Sequence, residues 1–369
     1  MEQQEKDALK TSIIIHGPEA VDTGLALKVI EIMRALGPAK AVMSGYTGVA
    51  AVVDAGLEGR IDISRHRIPS VTLVEEDEQA DLLVLVNYGK SRESAMRFGS
   101  MVFARTNGRL SKPFLQVDKG MLIEWGGHIE ALADRLVDRL GLEKVIAPRG
   151  MNESAEVWRE IGGVLPGENL WINGVVVGRA SAARVRIGCD AIGHIMAEGL
   201  ALKPSGVRRL GKYDPSTAHV RSGLTRRTSA PPRIAPGSKD EGAFLIDHDA
   251  EGAIYLCRDA SLVVTVGDDT SRAAGSVLSR FGVPIVAITD GDEDGISNDV
   301  TLAPGSVVFR LKGGNDDLLG ARLRQVLFHD KGHLSSRITA EEVAAMVREM
   351  AEGALLWERW VPQSDQARE

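Results

Sequence analysis

The stretch from Ser261 to Ile296, SLVVTVGDDTSRAAGSVLSRFGVPIVAITDGDEDGI, leaves the chain few folds to choose from. Leu262 to Val266 is an apolar, β-branched run that stops at Gly267, and Thr270 or Ser271 is placed to cap a helix running to about Phe281. Gly282 ends that helix. Pro284 then opens a second apolar run, Ile285 to Thr289, which stops at Asp290 and passes into Gly291-Asp292-Glu293-Asp294-Gly295. Strand, loop, helix, strand reads as a βαβ unit. In its right-handed form both strands are parallel and both loops leave their carboxyl ends, the edge at which open α/β sheets bind ligands.

Asp268, Asp269, Asp290, Asp292 and Asp294 then crowd one rim. Carboxylates at close range repel one another unless a cation or water separates them, so a divalent metal, Mg²⁺ or Mn²⁺, is the sharper expectation. The competing one is turn chemistry, since Asp-Gly clusters after strands are ordinary and solvated carboxylates need no metal. A third contributor follows the strand Ala243 to Ile246, in Asp247-His248-Asp249-Ala250-Glu251. Glu251 there could join the cation, and His248 could act as acid or base near a bound water. Gly267, Thr270 and Ser271, at the adjacent helix N-terminus, are the expected phosphate contacts.

A chain of 369 residues is long for one domain, and two to three are expected. A formal charge of −7 argues against a general nucleic-acid binder. Cys189 and Cys257 lie in different segments without metal spacing, which suits core thiols in a reducing compartment. The opening residues MEQQEKDALK are charged, and no apolar run approaches the roughly 18 residues of a membrane span, so a cytoplasmic setting is expected.

The N-terminal part repeats the strand, loop and helix pattern. Ser12 to Ile15 runs into His16-Gly17-Pro18, with a helix from about Leu25 to Leu36; Ala41 to Met43 runs into Ser44-Gly45-Tyr46-Thr47-Gly48 and a short helix to Ala55. Asp81 to Val86 leads to Asn87-Tyr88-Gly89-Lys90-Ser91, and Phe114 to Val117 is followed by a helix from His128 to Leu140. This implies a doubly wound parallel sheet with a cleft at its carboxyl edge. Gly89-Lys90-Ser91 resembles only the tail of a Walker A loop, because Val84 stands where the upstream glycine is required. Lys90 is therefore either a phosphate or carboxylate contact or a solvated lysine. His16, inside a glycine loop at a strand end, is a second acid/base candidate.

From about Asn152 the pattern changes to short β segments, Leu170 to Val177 and Ala183 to Ile187, which read as a small antiparallel module. It looks like the β-sandwich that precedes the barrel of metal-dependent amidohydrolases. No barrel and no His-x-His follow, so the module is expected to be structural. Arg208, Arg209, Lys212, Arg221, Arg226, Arg227 and Arg233 make the next segment basic, either a solvated linker or an arm folding over the acidic rim. The expected fold is α/β: two Rossmann-like parallel-sheet domains, over 1–150 and 241–355, with a β module over 151–202, a basic Pro/Gly linker over 203–240 and a tail over 356–369.

With these residues laid out, the chain resembles an uncharacterised conserved family found chiefly in methanogenic archaea, a domain of unknown function. The resemblance rests on HGPEAVDTG (16 to 24), DAGLEGRIDIS (54 to 64), NYGKS and RFG (87 to 91 and 97 to 99), INGVVVG (172 to 178), IDHDAE (246 to 251), GDDTS (267 to 271) and PIVAITDGDEDG (284 to 295). Ser271 and Ala95 depart from it, where Thr and Gly are usual. The resemblance implies an archaeal cytosolic setting and no particular mechanism. The acidic loop also resembles in part the Asp-x-Asp motif of toprim domains, but the glutamate those folds place at a strand end is displaced here to Glu251.

The leading functional expectation is a divalent-metal-dependent enzyme acting on a phosphorylated or nucleotide-like small molecule in a cleft between two α/β domains. In it Asp268, Asp290 and Asp292 hold the metal, Asp269, Asp294 and Glu251 support it, Gly267, Thr270, Ser271 and Lys90 meet phosphate, and His248 or His16 serves as acid/base. The alternative is a non-catalytic metabolite-binding or regulatory protein. The expected partner is an anionic small molecule, not a membrane; homo-oligomerisation stays open.

Overall fold

The structure, a computed structural model, describes residues 9–65, 67–127, 129–147, 158–190, 192–223, 226, 228, 230–235, 241–247, 255–291 and 302–362. It divides into two units, with the boundary between Ala230 and Pro231. The fold class is mixed α/β: each unit contains a six-stranded, mostly parallel sheet, and small antiparallel sheets intervene in the sequence between the two.

The first unit opens with β1 (Thr11–His16), a run of isoleucines buried on both faces, as a central parallel strand must be. After it come α1 (Pro18–Asp22), α2 (Leu25–Arg34), β2 (Ala39–Ser44), α3 (Val49–Asp54), α4 (Pro69–Asp77), β3 (Leu82–Val86), α5 (Arg92–Arg105), β4 (Phe114–Asp118), β5 (Met121–Gly126), α6 (Glu130–Leu140) and β6 (Glu143–Ile146). The strand order is β2-β1-β3-β4-β5-β6. Strands β1 to β4 are parallel; β5 turns back on β4, and β6 runs parallel to β5. The chain therefore steps from β1 to β2 on one side and returns to put β3 on the other. That reversal opens a crevice between the carboxyl ends of β1 and β3.

The same unit carries two small antiparallel sheets. One has the order β11-β10-β7, from β7 (Trp158–Ile161), β10 (Val185–Cys189) and β11 (Ile195–Glu198). The other has the order β12-β9-β8-β13, from β8 (Asn169–Ile172), β9 (Val175–Ala180), β12 (Leu200–Leu202) and β13 (Val220–Ser222). Much of the segment expected to be linker is structured: α7 (Pro204–Leu210) and β13 belong to this module, with Val207, Leu210 and Val220 against its core. Basic composition hid those few apolar residues.

In the second unit, β14 (Glu241–Asp247), β15 (Ala260–Val266), β16 (Ile285–Thr289) and β17 (Val307–Leu311) lie parallel and side by side in chain order. No reversal separates adjacent parallel strands, so this sheet lacks the crevice of the first. Helix α8 (Asp268–Leu278) meets Thr265 on one face; α9 (Asn315–Val326) and α10 (Ala340–Met350) pack on Val264, Val266, Ile288 and Phe309 on the other. The alternation of Thr265 with Val264 and Val266 is the period-2 signature of a strand covered on both sides. Antiparallel β18 (His333–Leu334) and β19 (Leu355–Trp360) form the edges. β19 takes up most of the start of the expected tail, because Leu355 and Trp360 reach the core.

Candidate functional site

At the reversal in the first sheet, β1 delivers His16 and β3 delivers Asn87, the residue directly after the strand. The imidazole Nδ1 lies 3.1 Å from Asn87 Oδ1. Which atom carries the proton follows from the next bond: Asn87 Nδ2 donates to Asp118 Oδ2 at 2.8 Å, so the amide oxygen faces His16 and Nδ1 must donate to it. A neutral imidazole held this way has its lone pair on Nε2. Nε2 makes no hydrogen bond among the described residues and lies toward Gly45, where a Cβ would stand 3.9 Å away. Gly45 has φ +83°, a backbone conformation that disfavours side chains, so it is the backbone of this loop that lies beside the ring.

Asp118, at the end of β4, is fully buried. Besides Asn87, its carboxylate accepts from Gln116 Nε2 at 2.9 Å, the Gly89 amide at 2.7 Å and the Lys119 amide at 2.8 Å. A buried carboxylate survives only when N–H groups surround it in this way. Gln116 also donates to the Ala95 carbonyl and accepts from Trp125 Nε1 at 2.9 Å, which locks its own orientation. The relay thus runs from Trp125 through Gln116, Asp118 and Asn87 to His16. Phe98 of α5 stacks on the imidazole at 4.4 Å between centroids. Burial pushes the His16 pKa below its ordinary value; the Asn87 hydrogen bond and the charges of Asp118 and Glu19 oppose the shift without reversing it. At neutral pH the ring is an uncharged base.

The other expected site residues fare differently. Lys90 is engaged by the β module: Nζ lies 2.5 Å from Glu168 Oε2 and 3.2 Å from Ser222 Oγ. Its partner here is thus a carboxylate of the chain itself, and with 19% side-chain exposure it is not a solvated lysine. Ser91 is the N-cap of α5, in a reciprocal capping box with Ser94. In the second unit α8 begins at Asp268, two residues ahead of the expected caps, with Gly267 as N-cap and Asp268 and Asp269 in the first turn, where acids suit the helix dipole. Thr270 and Ser271 consequently fall inside the helix, both buried, and the Ser271 hydroxyl is shared between Thr265 Oγ1 at 2.8 Å and the Gly267 carbonyl at 2.7 Å.

Asp268 and Asp290 do come to the same edge. Asp268 Oδ2 accepts from the amide of Gly291, the residue after Asp290, at 2.9 Å, and Asp290 Oδ2 accepts from the Gly314 amide at 2.7 Å. Arg310 donates to the Gly291 carbonyl at 2.9 Å, so a guanidinium supplies positive charge at this rim. Among the described residues no group of three or more His, Cys, Asp or Glu side chains could hold a metal ion. His248, Glu251, Asp292 and Asp294 lie outside the described residues.

Reading the sequence alone missed Asp118, Gln116 and the role of Asn87. Asp118 directly follows the strand-like segment Phe114 to Val117, and an acid at a strand end was the available signal; its register with His16 is a property of the fold. The basic segment was also misjudged. Arg226 is not a solvated linker residue: it is paired with Asp22 and Asp54 within the first unit. Arg221 lies over the rings of Trp171, at 4.1 Å, and Tyr46, at 5.3 Å.

Comparison with known proteins agrees with the resemblance read from the motifs. Residues 13–331 match the family described as "Uncharacterized protein conserved in archaea (DUF2117)". The chain is also 33% identical over 349 residues to "Uncharacterized protein MJ0065" of Methanocaldococcus jannaschii, covering 90% of this chain and 95% of that protein.

Proposed function

The chain belongs to this archaeal family, whose description names no activity, and from that premise we propose that it is an enzyme of the general acid–base type. Its substrate is a small anionic molecule of the phosphorylated or nucleotide-like class, bound at the carboxyl edge of the first sheet. The observation that carries the proposal is the His16–Asn87–Asp118 relay at the point where the strand order reverses. In this reading Nε2 takes a proton from a hydroxyl or N–H of the substrate. Asn87 and Asp118 hold the ring in the productive tautomer and stabilise the imidazolium that forms. An anionic substrate is supported by the start of α5, whose N-terminus opens on the same edge just beyond Asn87. The acidic rim of the second unit stays a separate candidate for Mg²⁺ or Mn²⁺: one oxygen each of Asp268 and Asp290 accepts from a backbone amide, and Asp292, Asp294 and Glu251 lie outside the described residues.

The test is consumption. Full-length protein and its His16→Gln variant are incubated with a pool of archaeal cell metabolites, and the pool is followed by mass spectrometry. Loss of one phosphorylated or nucleotide-like compound with the wild type and at least a hundredfold slower loss with the variant is expected, about the weight of a positioned general base. Binding of such a compound with no turnover would support the non-catalytic alternative and overturn the proposal.

A further inference from the structure

The two helices that begin beside His16 end at a buried acid pair. α1 starts directly after Gly17 and closes on Asp22; α3 starts past the Gly45 loop and closes on Asp54. The helices pack on one another. Their terminal carboxylates are almost wholly buried, with side-chain exposures of 7% for Asp22 and 0% for Asp54. Two anions placed so close repel unless something lies between them.

Arg226, just ahead of the boundary between the units, fills that place. Nε donates to Asp22 Oδ2 at 2.8 Å and Nη2 to Asp22 Oδ1 at 2.5 Å, a bidentate fork, while Nη1 reaches Asp54 Oδ2 at 2.6 Å. The Thr228 hydroxyl donates to Asp22 as well. One planar guanidinium thus uses all three of its nitrogens on carboxylates from two different helices. An ammonium is a compact point charge and cannot reproduce that geometry.

We infer that Arg226 is a positioning residue for the His16 site: by clamping Asp22 and Asp54 it holds α1 and α3, and through them the Gly17 and Gly45 loops that flank the imidazole. The inference rests on the acid–base reading of His16 for its functional meaning. Its test does not, because the readout is the position and titration of the ring and not turnover.

The experiment uses full-length protein labelled with ¹⁵N-histidine. Arg226→Ala should lower the melting temperature by roughly 10 °C, as expected when one partner of a buried pair is removed, and should move the His16 nitrogen resonances and its titration midpoint. Millimolar guanidinium chloride should return both toward wild-type values, where equal concentrations of sodium chloride or urea do not. Arg226→Lys keeps the charge and guards against an unfolded alanine variant. It should fold, melt below the wild type, displace the His16 resonances and resist rescue by guanidinium. His16 resonances unmoved in either folded variant, or guanidinium no more effective than sodium chloride and urea on Arg226→Ala, would overturn the inference.

Discussion

At the residue scale the decisive group is Asn87, an amide between an imidazole and a carboxylate. Because its nitrogen is committed to Asp118, its oxygen is committed to His16, and a choice made at a buried carboxylate is transmitted to a ring nitrogen two residues away in the relay. Removing the negative charge with Asp118→Asn frees the Asn87 amide to flip. His16 Nε2 is then expected to carry the proton in a substantial fraction of molecules, visible as exchange of its ¹⁵N shifts. The depressed pKa of His16 also has a consequence for stability. Its folded value lies below the ordinary 6.5, so the unfolded chain binds the proton first as pH falls. The His16 contribution to stability is therefore complete above about pH 6.5 and is lost as pH drops toward the folded pKa. Chemical denaturation between pH 7.5 and about 5 should show this loss in the wild type and a smaller one in His16→Gln; equal slopes would contradict it.

At the level of elements, the parts of the fold set by periodicity were readable and the parts set by tertiary contact were not. Apolar runs rich in isoleucine, valine and leucine announced β1, β3, β15 and β16, because central parallel strands must be apolar on both faces. Capping was misread at α8, where Thr270 and Ser271 are good caps by type but the chain turns earlier, at Gly267. The relay residues were harder to read for a different reason: Gln116 and Asp118 sit in a strand otherwise apolar, and their partners Ala95, Trp125, Asn87 and Gly89 come from other parts of the chain. The RFG segment of the family resemblance also finds its cause here. A Cβ on Gly99 would stand 1.8 Å from Gln116 Oε1 and 2.6 Å from Trp125 Cζ2, so α5 lies against the relay only because residue 99 has no side chain. Gly99→Ala should cost about 1–3 kcal/mol despite the better helix propensity of alanine, and should alter Trp125 fluorescence. A stabilised variant with unchanged fluorescence would show that the close approach is unimportant.

At the scale of the whole molecule, two α/β units share a sheet type and differ in strand order. In the first unit the order reverses between β1 and β3, while in the second the parallel strands follow the chain from β14 to β17. The sequence drew attention to the second, because five aspartates in two loops are conspicuous and one histidine is not. Strand order, which cannot be read from local pattern, points to the first. Full-length protein labelled with ¹⁵N-histidine and titrated with a pool of phosphorylated and nucleotide-like metabolites decides between them, since His16 reports on one edge and His248, His329 and His333 belong to the other unit. Shifts at His16 with the other three unmoved are expected; shifts confined to His248, His329 or His333, with His16 unmoved, would contradict the placement of the site.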